Sequence, residues 1–323
     1  MRFVVYGAGA IGGVLGGRLF EAGHDVVLLA RGAHYDALEK AGLRLETPEG
    51  AVTLPIPVAP APGEIRFQDD DVILLTMKSQ DTGPAVSALA VVAPLDLPVV
   101  CVQNGVENER TALRRFENVY GICVMSPTTH LAPGVVQANS APVTGLLDIG
   151  RWPAGTDEVT TSIADALRSA TYHSEPRPDI PRWKWGKLIL NLFNAIEAVC
   201  GPGTRTGEIA RRIHAEALTC LEVAGIPYVG QEEDAARRAD ILQLRPIAGA
   251  RREGSSSWQS LTRSTGAIET DYLNGEIVLL GRMWGVPTPA NAAIQRWANE
   301  LATQHLPPGS VDEAQVVAEL GLD

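Results

Sequence analysis

The sequence predicts an α/β fold: a doubly wound sheet in the N-terminal part, followed by an all-helical C-terminal domain. Three observations carry this. Short apolar runs alternate with helix-compatible segments through the first half, a glycine-rich turn follows the first run, and the pattern turns wholly helical beyond a proline-rich stretch at 174–181. With 323 residues the chain is long enough for two ordinary domains, each with its own core. Hydrophobic residues at 45% and charged residues at 20% lie near the globular average, which excludes a disordered chain or a fibre.

Residues 2–6, 25–30, 72–77, 98–102 and 119–125 are β-rich and almost continuously apolar. Residues 11–22, 34–41 and 82–91, between them, suit helices. Strands read as unbroken apolar runs when helices cover both faces of a parallel sheet. Prolines and glycines in 43–59 favour an antiparallel or edge excursion there, and 135–137 and 143–149 read as further short strands. A helix over 157–169 closes the first domain. The three prolines within 174–181 mark a linker, so the domains are expected at 1–176 and 177–323. Helices are then expected over 183–200, 206–224, 232–244, 267–284 and 289–304.

Lys and Arg total 27 against 38 Asp and Glu, a formal charge of −11. That balance argues against nucleic acid or an anionic membrane as partner, while leaving room for one basic site for a small anion. No apolar run approaches the roughly 20 residues of a membrane span. The four cysteines (Cys101, Cys123, Cys200, Cys220) form no CxxC pair and have no neighbouring histidine cluster, so no metal is expected. They read as small buried hydrophobes in a reducing compartment, and the chain as cytoplasmic.

The turn Gly7-Ala8-Gly9-Ala10-Ile11-Gly12 lies between the first strand and the first helix. Its first glycine permits the tight turn, the second lets backbone N–H groups reach a pyrophosphate, and the third lets helix pack on strand. The anion then meets the positive end of the helix. This is the fingerprint of a Rossmann-type dinucleotide-binding domain. At the end of the second strand, Ala30-Arg31-Gly32 offers no acid for a ribose 2′-hydroxyl, and none occurs between Asp25 and Asp36. Arg31 suits a 2′-phosphate, which predicts NADP(H); the alternative is a surface arginine that caps the strand. Lys78 and Asn104 follow two further strands, where ligands of such sheets gather. Structurally, Asn104-Gly105 is also a turn pair and Lys78 a solvated loop charge.

The chain holds only four lysines, and two of them, Lys184 and Lys187, lie on the helix that opens the second domain. At about 100° per residue, Lys187, Asn191 and Asn194 share one narrow face amid leucine, isoleucine and phenylalanine. A lysine and two amides there are costly unless they line a cavity or bond across a helix pair. Functionally, the lysine would donate a proton while the amides hold substrate oxygens. Lys184, about 60° from Lys187 around the helix, is expected to be a neutral control.

These residues resemble the ketopantoate reductases (2-dehydropantoate 2-reductases). The likeness rests on GAGAIG, Arg31, Lys78-Ser79, Gln103-Asn104-Gly105, Lys187 with Asn191, and the late run Glu269-Thr270-Asp271-Tyr272-Leu273-Asn274-Gly275. It implies NADPH-dependent reduction of a small 2-keto acid, ketopantoate first, in pantothenate biosynthesis. By resemblance Gly7 to Gly12 hold the pyrophosphate, Arg31 the 2′-phosphate, and Lys78 and Asn104 flank the nicotinamide end. Lys187 matches the proton donor and Asn191 a substrate-binding asparagine. Glu269 matches the glutamate that closes the site near the cofactor, and Ser256 or Ser257 the serine that holds the substrate carboxylate. Substrate contacts are expected from both domains, and the resemblance implies a homodimer through the C-terminal helices.

The chain departs from the family pattern on the substrate side. The second asparagine usually stands eight residues after the lysine, where this chain has Ala195; Asn194 is one position early. The late segment reads Ser255-Ser256-Ser257-Trp258-Gln259-Ser260 instead of a Ser-Met-x-Gln-Asp type of run, with one residue inserted before Glu269. The reaction type is therefore more firmly indicated than the substrate. The alternatives are a related reductase acting on another carbonyl or an imine, and a non-catalytic NADP-binding regulator.

Overall fold

The apolar runs form strands in the computed structural model, which describes residues 1–321. In chain order the strands are β1 (Arg2–Tyr6), β2 (Asp25–Leu29), β3 (Leu43–Thr47), β4 (Gly50–Leu54), β5 (Val58–Ala59), β6 (Asp71–Leu75), β7 (Val99–Cys101), β8 (Val119–Met125), β9 (Thr128–Ala132), β10 (Val135–Ala138), β11 (Gly145–Arg151) and β12 (Tyr172–His173). The main sheet runs β12-β11-β8-β7-β6-β1-β2-β5 and is parallel except between β8 and β11. Successive side chains of a strand point to opposite faces. Phe3 and Val5 accordingly enter one core and Val4 the other; Val72 and Leu74 separate from Ile73 and Leu75 in the same way. Both faces are buried, which is why these strands read as continuous apolar runs.

Helices α1 (Ala10–Glu21), α2 (Gly32–Ala41), α3 (Ser79–Leu89), α4 (Asn108–Leu113) and α5 (Glu158–Ser169) belong to this part. The stretch 43–59 does more than fray the sheet edge. β3 and β4 form a hairpin within a second sheet, β4-β3-β10-β9, that packs on α1, and only β5 extends the main sheet. Strand β9 was not among the expected elements.

The remaining helices are α6 (Ile180–Cys200), α7 (Glu208–Val223), α8 (Gln231–Arg238), α9 (Ser256–Thr262), α10 (Asn274–Trp284), α11 (Pro289–Thr303) and α12 (Glu313–Glu319). The chain forms two compact units, Met1–Lys184 with Gln231–Arg252, and Trp185–Gly230 with Glu253–Asp323. This differs from the single break expected at 176/177; residues 322–323 of the expected second domain lie outside the described residues. Residues 174–181 are not a free linker. The Ile149 N–H donates to the Glu175 carbonyl at 3.1 Å, and the Arg177 N–H to the Ile149 carbonyl at 2.7 Å. Pro176 sits between them as a bridge partner whose missing N–H is not required.

The helix expected over 232–244 stops at Arg238, and its segment belongs with the first unit. Arg237 Nε donates to Asp148 Oδ2 at 2.7 Å, and the Arg245 N–H to the Asn139 carbonyl at 3.0 Å. The helix expected over 267–284 is likewise interrupted: a 3-10 turn, Glu269–Tyr272, precedes α10, and Leu273 at φ −116° and ψ −90° breaks the ladder between them.

In the second unit, α7, α10 and α11 pack together around Ile213, Ala217, Ile277 and Ile294. Glu216 of α7 accepts from the Ala290 and Asn291 N–H groups at 2.9 and 3.0 Å. It thus caps α11, whose own N-cap Thr288 makes no side-chain cap. Among the described residues no helix is long and apolar enough to cross a membrane.

Candidate functional site

In the first unit β7, β6, β1 and β2 are neighbours in that order, and the chain leaves β1 toward β2 on one side while β6 lies on the other. Such a switch point opens a crevice at the carboxyl ends of the strands. The turn Gly7 to Gly12, Arg31, Lys78 and Asn104 follow the carboxyl ends of these four strands.

The glycine turn fits a dinucleotide. Gly7 takes φ +108°, and a Cβ there would stand 2.9 Å from the Met77 nitrogen. A Cβ at Gly12 would collide with Thr76 Oγ1 and the Gly7 carbonyl, so only glycine lets α1 approach this closely. At Gly9 a Cβ would meet nothing within 4 Å, which leaves the turn open on that side. The N-cap residue of α1 is Gly9, which has no side chain to cap the helix, so its first N–H groups offer an anion site. Thr76 Oγ1 donates to the Gly7 carbonyl at 2.8 Å and stitches the turn to β6.

His34, which sequence reasoning passed over, adds a second tie. Its Nδ1 accepts from the Gly134 N–H at 2.9 Å, so the proton sits on Nε2, which donates to the Ala8 carbonyl at 2.7 Å. Burial holds the imidazole below its ordinary pKa, and it stays neutral as this arrangement requires.

Arg31 is the N-cap residue of α2, and its side chain is 84% exposed, 3.4 Å from Asp81 Oδ1. An exposed pair of this kind contributes about 0–1 kcal/mol. Lys78 is the N-cap residue of α3, half-buried, and Asn104 is half-buried in the loop after β7. Buried amides join the two loops. Gln103 Nε2 donates to the Met77 carbonyl at 2.9 Å and to Thr82 Oγ1 at 2.8 Å. Asn108 Nδ2 donates to the Asn104 carbonyl at 2.9 Å and to Ser79 Oγ at 3.1 Å.

Lys184 is not the neutral control that was expected. It is 3% exposed and pairs with Glu109, which is 0% exposed, while its Nζ also donates to the Gln103 carbonyl at 3.0 Å. Burial pushes the Glu109 carboxyl up against the opposing pull of Lys184. Only the scarcity of lysines, and this one's place between Trp183 and Trp185, hinted at a special role in the sequence.

In the second unit, α6 carries Lys187 half-buried, with Asn191 and Asn194 buried. The two amides meet: Asn194 Nδ2 donates to Asn191 Oδ1 at 3.4 Å. Arg205, from the turn before α7, donates to Asn194 Oδ1 and lies 3.5 Å from Glu197. The carbonyl end of Asn194 is therefore taken by a protein cation, and Ala195 is fully buried in the helical core. Nothing in the local sequence marked Arg205 as the neighbour of Asn194.

Ser255 ties α9 to this helix. Its Oγ donates to the Asn194 carbonyl at 3.3 Å and its N–H to Glu197 at 3.2 Å. Of the two serine candidates on α9, Ser256 is half-buried. Ser257 is 2% exposed, and its Oγ has no hydrogen-bond partner among the described residues. Such an atom is costly unless a ligand satisfies it. Glu269 is buried on its 3-10 turn ahead of α10.

The comparisons with known proteins agree along the chain. The ketopantoate reductase PanE/ApbA family model matches residues 3–154, and its C-terminal counterpart matches residues 179–302. The chain is 30% identical over 301 residues to a 2-dehydropantoate 2-reductase of Archaeoglobus fulgidus, covering 91% of this chain and 95% of that protein. It is 28% identical over 315 residues to one of Pyrococcus horikoshii, covering 96% and 100%. A crystal structure of a PanE/ApbA family ketopantoate reductase from Ralstonia eutropha superposes with a TM-score of 0.79 at 29% identity, covering 94% of this chain and 99% of that one. A D-mandelate dehydrogenase solved with NADH and anilino(oxo)acetate shares the fold, with a TM-score of 0.80 at 21% identity over 94% and 99%. With both halves matched and the relatives covered almost end to end, the chain belongs to the ketopantoate reductase family, a family of oxidoreductases.

Proposed function

We propose that this protein reduces ketopantoate to pantoate with NADPH, using Lys187 as the proton donor. The observation that carries the reading is Lys187 one helical turn before a buried Asn191, on the helix at which the second family match begins. Gly7, Ala8, Gly9, Ala10, Ile11 and Gly12 would hold the pyrophosphate, Arg31 the 2′-phosphate, and Lys78 and Asn104 the nicotinamide end. When bound, the cofactor supplies a hydride. Negative charge that develops on the substrate's carbonyl oxygen is met by the Lys187 ammonium, which then yields its proton to that oxygen. Asn191 and Ser257 would hold the keto acid, with Glu269 closing the site. The free cysteines fit a reducing compartment such as the cytoplasm.

The test is NADPH oxidation with ketopantoate, and turnover at sub-millimolar substrate is expected. Asn191→Ala and Ser257→Ala should raise the ketopantoate KM about 10-fold each, as loss of one polar contact of about 1.4 kcal/mol would. NADPH affinity should not move; if it falls as far as KM rises, these residues support the fold or the cofactor instead. A second reading, reduction of a different carbonyl or an imine, is favoured by the buried Ala195 and by Arg205 on Asn194. A panel of 2-keto acids and imines with a higher kcat/KM for another member would establish it. Binding of NADPH with no oxidation by any member would point to a regulator.

A further inference from the structure

We propose that Lys184 and Glu109 are positioning residues that hold the two cofactor-facing loops in register, through the Gln103 carbonyl. Nothing about stability alone accounts for this pair. Both side chains are almost wholly buried, at 2% and 0% exposure, and an ion pair taken out of water to that degree gains little over apolar side chains of the same size. Glu109 also leaves Oε2 without a hydrogen-bond partner among the described residues. What the ammonium adds is a fixed hold on one peptide group, at 3.0 Å from the Gln103 carbonyl.

That peptide group is a junction. The Gln103 side chain holds the Met77 carbonyl, next to Lys78, and bonds Thr82, whose Oγ1 donates to Asn108 Oδ1 at 2.8 Å. Asn108 in turn holds the Asn104 carbonyl, and its helix α4 carries Glu109. The carbonyls of residues 77, 103 and 104 are thus bound by one connected set of side chains, closed by Lys184 and Glu109. Lys78 and Asn104 project from this set. A slack junction would leave the fold intact while loosening both loops, and misplacement on the scale of 1 Å suffices to lose function.

The inference rests on NADPH being the cofactor, and direct cofactor binding tests it without reference to any keto acid. Wild type, Lys184→Met, Lys184→Met/Glu109→Leu and Gln103→Met are titrated with NADPH and with NADH, and their unfolding midpoints are recorded. Lys184→Met strands a buried carboxylate and should lower the midpoint on the order of 10 °C. The double variant should regain most of that, because no unpaired charge remains. Its dissociation constants for NADPH and NADH should nonetheless rise together, by about 10-fold, the size of one lost positioning contact. Gln103→Met leaves the ion pair in place and should show the same common rise, which keeps the test open if the double variant does not fold. A double variant, or Gln103→Met, with wild-type dissociation constants would overturn the proposal and leave the pair structural. A wild-type chain that binds neither cofactor would overturn the proposed function as well.

Discussion

Lys187→Ala is expected to lower kcat by about 10²–10⁴, the usual contribution of a positioned general acid. Hydride addition leaves charge on an oxygen that needs first a cation and then a proton; of the two α6 lysines Lys184 is taken by Glu109, which leaves Lys187 to supply both. In the reductive direction the Lys187 ammonium is the form that serves as donor. In the oxidative direction the same group must be deprotonated, and activity should rise with pH. The appropriate control is Lys40→Ala, an exposed lysine of α2, not Lys184, whose removal strands Glu109. NADPH should bind Lys187→Ala as it binds wild type. Retention of more than about a tenth of wild-type kcat would take Lys187 out of the mechanism and make Glu269 the next candidate.

Arg31→Ala is expected to weaken NADPH about 10- to 100-fold and leave NADH nearly unchanged. A charge-assisted bond to the 2′-phosphate contributes on the order of 1.5–3 kcal/mol, and NADH lacks that phosphate. The change should not affect stability, because the side chain is 84% exposed and its partner Asp81 lies at 3.4 Å. This separates the two cofactor-side variants: Arg31→Ala discriminates between the nucleotides, whereas Gln103→Met should not. Equal losses for NADPH and NADH would show that the arginine caps the strand, and the choice of NADPH would lose its main support.

The sheet and the glycine turn were legible in the sequence because their causes are local. A run such as residues 2–6 is apolar throughout only if both faces of its strand are buried, and Phe3, Val4 and Val5 divide between two cores accordingly. The turn needs glycine wherever a Cβ would strike Met77 or Thr76, so its spacing records the contacts directly. The Lys187, Asn191 and Asn194 face follows from helical periodicity alone.

Only tertiary structure decided the rest. The helix expected over 232–244 was assigned to the second domain, yet the segment Gln231–Arg252 joins the first unit, where Asp148, 89 residues before Arg237, receives it. Arg205 reaches Asn194 because a turn folds back onto α6. Lys184 and Lys187 are three residues apart on one helix, and the sequence marked the first as a neutral control and the second as the proton donor. Burial separates them, for Glu109 waits 75 residues away in sequence and turns Lys184 into half of an enclosed ion pair. Periodicity determines which face of a helix a side chain occupies; whether that face meets a carboxylate, a cavity or water depends on partners distant in the chain, and only their packing decides it.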